Sequence, residues 1–282
     1  MSVATIQDRL EGYRCRSMVE EDLALRQITQ EVVLAALGRT DYFQKTGFHG
    51  GTCLRIFHGL NRFSEDLDFA LLSPNSNFRL PPYLDSLSSE LRAWGYHLEI
   101  DDRSKAGRAV QAAFLKDDSL GSMLRLDYRP ARGHLRKIRV KLEVDTNPPA
   151  GATYEIKYLD FPYPAAVRIF DLPSLFTGKL HALLCRDYPK GRDWYDLIWY
   201  TARRTAVNYT LLKSALNQFG PWRGENADPD RNWCVQQLRA RIEGMDWNAV
   251  RADVRRFVSH EELPSLDVWS SQFFQSQIDK LS

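Results

Sequence analysis

Two aspartates in the first third of the chain have a spacing that suits the binding of a divalent cation. They belong to Asp66-Leu67-Asp68-Phe69-Ala70-Leu71, in which polar and apolar residues alternate at the start. Residues two apart on a strand face the same side, so Asp66 and Asp68 should project together while Leu67 enters a core. Two adjacent carboxylates repel each other unless cations compensate them, and hard oxygen ligands suit Mg²⁺ or Mn²⁺. The competing interpretation is a solvated edge strand with its polar face outward.

A third carboxylate would complete such a site. Ile138 to Asp145 is the clearest strand pattern, with aliphatic residues at every second position and with Glu143 and Asp145 on the other face. Three carboxylates on neighbouring strands can hold two ions about 3.5–4 Å apart, a geometry used for in-line phosphoryl displacement. The pattern favours Glu143 as the third ligand and leaves Asp145 open.

A glycine turn precedes the aspartates. Gly50 and Gly51 lie directly before a short helical pattern, where glycine lets a phosphate approach backbone N–H groups at the positive end of a helix. Thr52 and Ser64 could add hydroxyl donors. These residues become candidates for binding a phosphorylated substrate because the intervening helix and loop could return the chain to the same end of a sheet.

The elements that must position these residues change in type along the chain. Helices are expected at Glu20 to Leu37, after Gly51, and near Leu84 to Gly95. Two strands are expected at 66–71 and 138–145, and shorter strands near His97 to Ile100, Val110 to Phe114 and Met123 to Tyr128. Prolines punctuate the next region, after which helical patterns dominate. The sequence therefore predicts an α+β fold with a mixed-sheet lobe at residues 1–166 and a helical lobe at 167–282. The predicted helices of the second lobe are Pro173 to Cys185, Arg192 to Thr205, Tyr209 to Phe219, Trp233 to Ile242 and Asn248 to Val258.

Composition narrows the class of protein. The 282 residues are 44% hydrophobic and 26% charged, as in ordinary globular proteins, and the formal net charge is +2. Four cysteines without CxxC spacing favour a reducing compartment over a disulfide or zinc framework. The N-terminus does not resemble a secretory signal, and no apolar run reaches the length of a membrane span, so we expect a cytoplasmic protein without a membrane partner.

One local basic stretch could contact nucleic acid. Six basic residues and no acidic one lie between positions 129 and 141. They are Arg129, Arg132, Arg136, Lys137, Arg139 and Lys141. Such a stretch suits a phosphate backbone, and part of it shares a strand face with Glu143. A basic loop that discourages aggregation is the alternative.

Four motifs together resemble one protein family. The segments are Gly50-Gly51-Thr52, Arg62-Phe63-Ser64-Glu65-Asp66-Leu67-Asp68-Phe69, Lys179-Leu180 and Arg192-Asp193-Trp194-Tyr195-Asp196-Leu197. Their types and order resemble the AbiEii/AbiGii-type toxin nucleotidyltransferases of the DNA-polymerase-β-like nucleotidyltransferase superfamily. The resemblance covers about half the chain and does not extend to the helices after Thr205.

The resemblance implies specific roles. Asp66 and Asp68 would bind Mg²⁺ or Mn²⁺, with Glu143 as the third ligand that the strand pattern favours, and Lys179 and Asp193 would join the two aspartates as catalytic residues. The same motifs imply that Gly51 and Ser64 contact the triphosphate. The full set of predicted substrate-binding residues is Gly50, Gly51, Thr52, Arg62, Ser64 and Arg192. The enzyme would move a nucleotide from a nucleoside triphosphate to an RNA acceptor, with tRNA among the candidates, and a protein antitoxin would control it.

Two other functions remain open on the sequence alone. The fold could be catalytically idle and bind RNA or protein, in which case Asp66 would be dispensable for binding. A two-metal nuclease would use similar carboxylates without any need for a triphosphate.

Overall fold

The computed structural model describes residues 3–97, 99–104, 109–117, 124, 126 and 138–281. Contacts divide the chain into two compact units. The first contains residues 1–59, 63–148 and 156–169, and the second contains residues 60–62, 149–155 and 170–282. The lobe boundary predicted near Val167 thus falls inside a strand, and two short segments from earlier in the chain belong to the second unit.

A mixed sheet forms the centre of the α+β fold, as predicted. Its strands are β1 (Thr46–His49), β2 (Asp66–Leu71), β3 (Glu99–Asp102), β4 (Val110–Asp117), β5 (Ile138–Asp145), β6 (Tyr154–Leu159) and β7 (Ala165–Phe170). Their spatial order is β3-β4-β5-β2-β1-β7-β6. Strand β2 pairs with β5 in parallel and with β1 in antiparallel orientation, so β2 lies centrally between them.

The strand alternation places the apolar side chains of β2 and β5 in the core. Leu67 and Leu142 are fully buried, and Phe69 packs edge-on against Tyr42 with 5.0 Å between ring centroids. Burying an aliphatic or aromatic side chain of this size stabilises the fold by about 1.5–3 kcal/mol. This packing fixes the orientation of both strands, and with it the side on which the intervening polar residues project.

Helices of the first unit pack around this sheet. They are α1 (Val3–Glu11), α2 (Met18–Gly38), α3 (Tyr42–Lys45), α4 (Gly50–His58) and α5 (Pro81–Arg92). Helix α2 begins at a cap in which the Ser17 hydroxyl accepts a hydrogen bond from the Glu20 amide, and it is buried on nearly all sides. A helix buried all round belongs to the interior of a unit rather than to its surface.

The second unit is helical. Its helices are α6 (Leu172–Cys185), α7 (Gly191–Ala202), α8 (Tyr209–Gln218), α9 (Arg231–Glu243), α10 (Trp247–Arg255), a 3₁₀ helix (His260–Leu266) and α11 (Ser271–Ile278). Trp194, Trp247 and Phe274 pack together in its core, with centroid separations of 4.3–5.2 Å. At Gly191 a Cβ atom would collide with the Val250 carbonyl, so glycine permits the close approach of α7 to α10.

Some elements were not predicted. They are strands β1, β6 and β7, the 3₁₀ helix and helices α1, α3 and α11, which lack a clear signal because they are short or lie among prolines and polar residues. The strand expected near Met123 to Tyr128 falls mostly outside the described residues, as does the basic stretch from Arg129 to Lys137. Among the helices in the described part of the chain, none has the length and low charge required to cross a lipid bilayer.

Candidate functional site

Asp66 and Asp68 lie side by side on one face of β2, as the alternation predicts. Both are half-buried, whereas Leu67 and Phe69 between and after them are buried on the opposite face. Burial raises the pKa of Asp66, and the nearby Asp68 carboxylate raises it further, while Lys141 acts in the opposite direction. The pair therefore forms a locally negative site that a bound cation would stabilise.

The pairing of β2 with β5 decides which carboxylate lies beside this pair. Asp68 is aligned with Glu143 across the two strands, and Asp66 is aligned with Lys141. Asp145 is aligned with Ala70, two residues further along. Aligned residues on neighbouring strands project from the same face, so Glu143 is the carboxylate next to Asp68.

Lys141 balances part of the charge on this face. Its ammonium nitrogen lies 2.7 Å from Oε1 of Glu143. The register thus places Lys141 beside Asp66 while its side chain contacts Glu143. The Lys141 ammonium group is therefore close enough to neutralise carboxylates on both β2 and β5.

The donor set fits a divalent ion that arrives with a nucleotide. Mg²⁺ in such sites is commonly bound through one or two carboxylates together with phosphate oxygens of the substrate, rather than by a complete protein cage. Asp66 and Asp68 are the two carboxylates predicted for this role, and their assignment as metal ligands stays a prediction. Within the described ranges no group of three histidine, cysteine or acidic side chains forms a ready-made cage. The assignment of Glu143 as a ligand stays a prediction.

Helix α4 begins beside the carboxylate pair. Gly50 has a φ of +81°, and a Cβ atom there would collide with the Asp68 carboxylate. Glycine is therefore required both by the backbone conformation and by the space that Asp68 occupies. The first amide groups of α4 have no partner within the helix, as at every helix N-terminus, and suit an anionic ligand.

Thr52 and Ser64 have different surroundings. The Thr52 hydroxyl is buried and donates to the Asp66 carbonyl oxygen, which joins the first turn of α4 to the start of β2.

Gln30 donates to the Ser64 carbonyl at 3.2 Å, and the neighbouring Glu65 forms a 2.6 Å ion pair with Arg26. Helix α2 therefore holds the loop that leads into β2, and Ser64 in that loop is half-buried. Substrate contacts by Gly51, Thr52 and Ser64 stay predictions.

A second group of predicted residues meets inside the helical unit. Arg62 donates two hydrogen bonds to Asp196, at 2.7 Å and 2.6 Å, and both side chains are at most 1% exposed. Lys179 lies 2.8 Å from Asp196 and 2.9 Å from Asp193, and Arg186 lies 3.0 Å from Asp193. We call these five residues the ion-pair cluster. Asp193 and Asp196 are three residues apart on α7 and so share one face of that helix.

The charges in the cluster support one another. Burial lowers the pKa of Lys179 and of Arg62, but the adjacent carboxylates outweigh burial and leave both values raised. Burial raises the pKa of Asp193, but Lys179 and Arg186 outweigh it and leave that value lowered. All three groups are therefore charged at neutral pH.

The cluster changes the interpretation of several predicted residues. Arg62 and Lys179 are directed at carboxylates of the second unit, and Arg192 lies over the ring of Phe257 at 4.3 Å. Their predicted contacts with substrate stay predictions, and the contacts present in the structure stabilise the helical unit. Sequence reasoning gave no role to Asp196, although its i, i+3 spacing from Asp193 signals a shared helix face.

Comparisons with known proteins identify the family. The model of the "Nucleotidyl transferase AbiEii toxin, Type IV TA system" family matches residues 32–273, and the chain belongs to this family of nucleotidyltransferase toxins. Comparison with curated proteins gave no sequence match.

Two solved structures share the fold at low sequence identity. MenT4, a nucleotidyltransferase toxin from Mycobacterium tuberculosis, is 15% identical, with a TM-score of 0.54 over 98% of this chain and 99% of that one. JHP933 from Helicobacter pylori is 18% identical, with a TM-score of 0.51 over 94% of this chain and 96% of that one. The chain is thus a nucleotidyltransferase by family, and its fold matches that of a known toxin of this class.

Proposed function

We propose that this nucleotidyltransferase transfers a nucleotide from a nucleoside triphosphate to an RNA acceptor, with tRNA as the first candidate, using Mg²⁺ or Mn²⁺. Metal dependence of this activity is supported by the alignment of Asp66, Asp68 and Glu143 on one face of two paired strands. Family membership supports the triphosphate as substrate and a protein antitoxin as partner. Free thiols at all four cysteines suit a cytoplasmic location.

Each residue has a defined part in this proposal. Asp66 and Asp68 bind the metal, with Glu143 as the third ligand, and the amides at Gly50 and Gly51 receive phosphate oxygens. When bound, a divalent ion stabilises negative charge on the transferred phosphoryl group and on the leaving pyrophosphate. Lys141, which lies 2.7 Å from Glu143, limits the repulsion among the carboxylates until a cation binds.

In this proposal the ion-pair cluster supports activity by stabilising the fold. Lys179 is held between Asp193 and Asp196, which supports a role in fixing α6 against α7. Truncation at the cluster should therefore reduce stability as well as activity. Loss of activity without loss of stability in a Lys179 or Asp193 variant would instead support direct participation in the reaction.

Transfer of label tests the proposal. The purified protein is incubated with cellular RNA, Mg²⁺ or Mn²⁺ and each α-labelled nucleoside triphosphate in turn. Asp66→Asn and Asp68→Asn should abolish incorporation. Glu99→Gln, on the exposed edge of the same sheet, should leave it unchanged. The isosteric substitutions retain side-chain volume, so far-UV circular dichroism should match the wild type.

Other outcomes distinguish the alternatives. Binding of labelled triphosphate without incorporation into any RNA would support an idle fold. Shortening of RNA in the absence of triphosphate would support a nuclease. Incorporation that persists in both aspartate variants would refute the assignment of the site.

A further inference from the structure

The face of the sheet that carries the carboxylates continues beyond β5 onto β4. Ala112 of β4 is aligned with Glu143, and Phe114 is aligned with Lys141. Aligned residues project from the same face, so Ala112 and Phe114 lie on the face of the candidate metal site, whereas Ala113 between them is fully buried on the other. The outward row of β4 is one strand away from Glu143 and two strands, about 10 Å, from the aspartate pair of β2.

Three consecutive outward positions of β4 form an uncharged strip. Val110 is 47% exposed, and Ala112 and Phe114 are half-buried. The aligned row on β5 is charged at every outward position, and its members are Arg139, Lys141, Glu143 and Asp145. A ligand that fits this part of the face therefore has an uncharged, flat part for β4 and a charged part for β5.

Guanidinium groups from both neighbouring strands contact the Phe114 ring. The guanidinium carbon of Arg139, on β5, lies 3.9 Å from the ring centroid, and that of Arg103, directly after β3, lies 4.8 Å from it. Attraction between a cation and the face of an aromatic ring stabilises both contacts. Both arginines are exposed, so the group is accessible to a ligand. We call Phe114, Arg139 and Arg103 the β4 stack.

The structure assigns the β4 stack as the binding site for an unpaired base of the RNA acceptor, close to the end that reacts. Unpaired RNA bases are bound by stacking on aromatic rings and on guanidinium groups, and both kinds of group are present here. The positive charge of the two arginines also suits the phosphates on either side of that base. This assignment rests on the proposed RNA acceptor and adds the residues that select a single-stranded end.

The order of the strands favours the acceptor over the triphosphate as the owner of this base. Gly50 follows directly after β1, and β1 lies on the opposite side of β2 from β5 and β4. In-line displacement requires the attacking and leaving oxygens on opposite sides of the transferred phosphorus. A triphosphate received at the glycine turn therefore leaves the side of β5 and β4 for the acceptor.

Steady-state transfer kinetics, with RNA and triphosphate varied separately, test the assignment. Phe114→Ala should raise the KM for RNA by about ten-fold, because stacking of one base is lost, and should leave the KM for triphosphate unchanged. Phe114→Trp keeps an aromatic ring and should restore the KM for RNA. Tyr158→Ala removes a 76% exposed aromatic side chain from β6 and should change neither value.

Arg139→Lys separates stacking from charge. Lysine keeps the positive charge but has no planar group, so a stacking role predicts weaker RNA binding in this variant. Binding is measured without metal or triphosphate, using a hairpin RNA with 2-aminopurine in an unpaired 3′ tail. The wild type should quench the fluorescence of this base, whereas Arg139→Lys and Phe114→Ala should not.

The results distinguish failure of this site from failure of the proposed function. No transfer to any RNA by the wild type would refute both. Transfer by the wild type with an unchanged KM for RNA in Phe114→Ala would refute the β4 stack alone. A rise confined to the KM for triphosphate would place the base of the triphosphate there instead, and full quenching by Arg139→Lys would reduce the role of Arg139 to its charge; each would overturn the assignment.

Discussion

Truncation of Asp196 should destabilise the helical unit more than any surface substitution. Asp196 is fully buried and accepts two hydrogen bonds from Arg62, and it also lies 2.8 Å from Lys179. Asp196→Ala would leave the buried Arg62 guanidinium without its carboxylate. Breaking a buried ion pair by removing one partner costs about 3–5 kcal/mol, a large part of the roughly 5–15 kcal/mol that stabilises a typical protein.

Chemical denaturation provides the measurement. Six of the seven tryptophans lie after residue 167, so tryptophan fluorescence during urea unfolding reports mainly on the helical unit. Asp196→Asn keeps the side-chain volume and one acceptor oxygen, so it should lower the free energy of unfolding by less than Asp196→Ala does. The two variants together separate the loss of charge from the loss of packing.

A matched surface pair provides the control. Asp228 lies 2.6 Å from Lys213, but these side chains are 84% and 52% exposed. Surface pairs contribute about 0–1 kcal/mol, so Asp228→Ala should shift the unfolding midpoint only slightly. An Asp196→Ala effect as small as that of Asp228→Ala would refute the view that the ion-pair cluster holds the helical unit together.

Three further predictions concern the carboxylate pair, the glycine turn and pH. Isothermal titration of Mn²⁺ in the presence of a non-hydrolysable triphosphate should show binding to the wild type and none to Asp66→Asn or Asp68→Asn. Heat of binding equal to that of the wild type would contradict the metal site. Gly50→Ala should abolish nucleotide transfer and lower the midpoint of thermal unfolding, because Gly50 has a φ of +81° and a Cβ there would collide with the Asp68 carboxylate. The control is Gly178→Ala within α6, where an added Cβ meets no other atom, and this variant should retain both activity and stability. Burial raises the pKa of Asp193, but neighbouring cations outweigh it and lower that pKa below its ordinary value of 3.8. Its stabilising contribution is therefore present above that value and lost as pH falls through the folded-state pKa. Urea midpoints measured from pH 6 downwards should fall less steeply for Asp193→Asn than for the wild type, and parallel curves would exclude this group as a source of acid sensitivity.

The local alternation of polar and apolar residues was sufficient to predict the two strands that contain the carboxylates. The predicted bounds of β2 and β5 coincide with those in the structure, because both strands alternate buried aliphatic or aromatic residues with polar ones. The start of α4 after a glycine turn was also foreseen. Strand β1 was missed because its four residues are too few to establish a period, and β6 and β7 lie in a proline-rich region that favours loops.

Distance along the chain explains what was missed at the candidate site. Arg62 and Asp196 are 134 residues apart, and no local pattern indicates that these two side chains meet. The sequence motif placed Arg62 among the substrate-binding residues, whereas the fold buries it in an ion pair. Likewise, the sequence offered both Glu143 and Asp145, and only the pairing of β2 with β5 aligned Glu143 with Asp68.

The sequence by itself determined the alternating strands, the glycine at the start of α4, the two adjacent aspartates and the motif set that marks a nucleotidyltransferase. These features depend on backbone preferences and on residues close together in the chain. Only the tertiary structure decided the strand register, the carboxylate beside Asp68, the partners of Arg62 and Lys179 and the arginines that contact Phe114. Each of these depends on which distant segments share a core, and that is set by the packing of the whole unit rather than by any local run of residues.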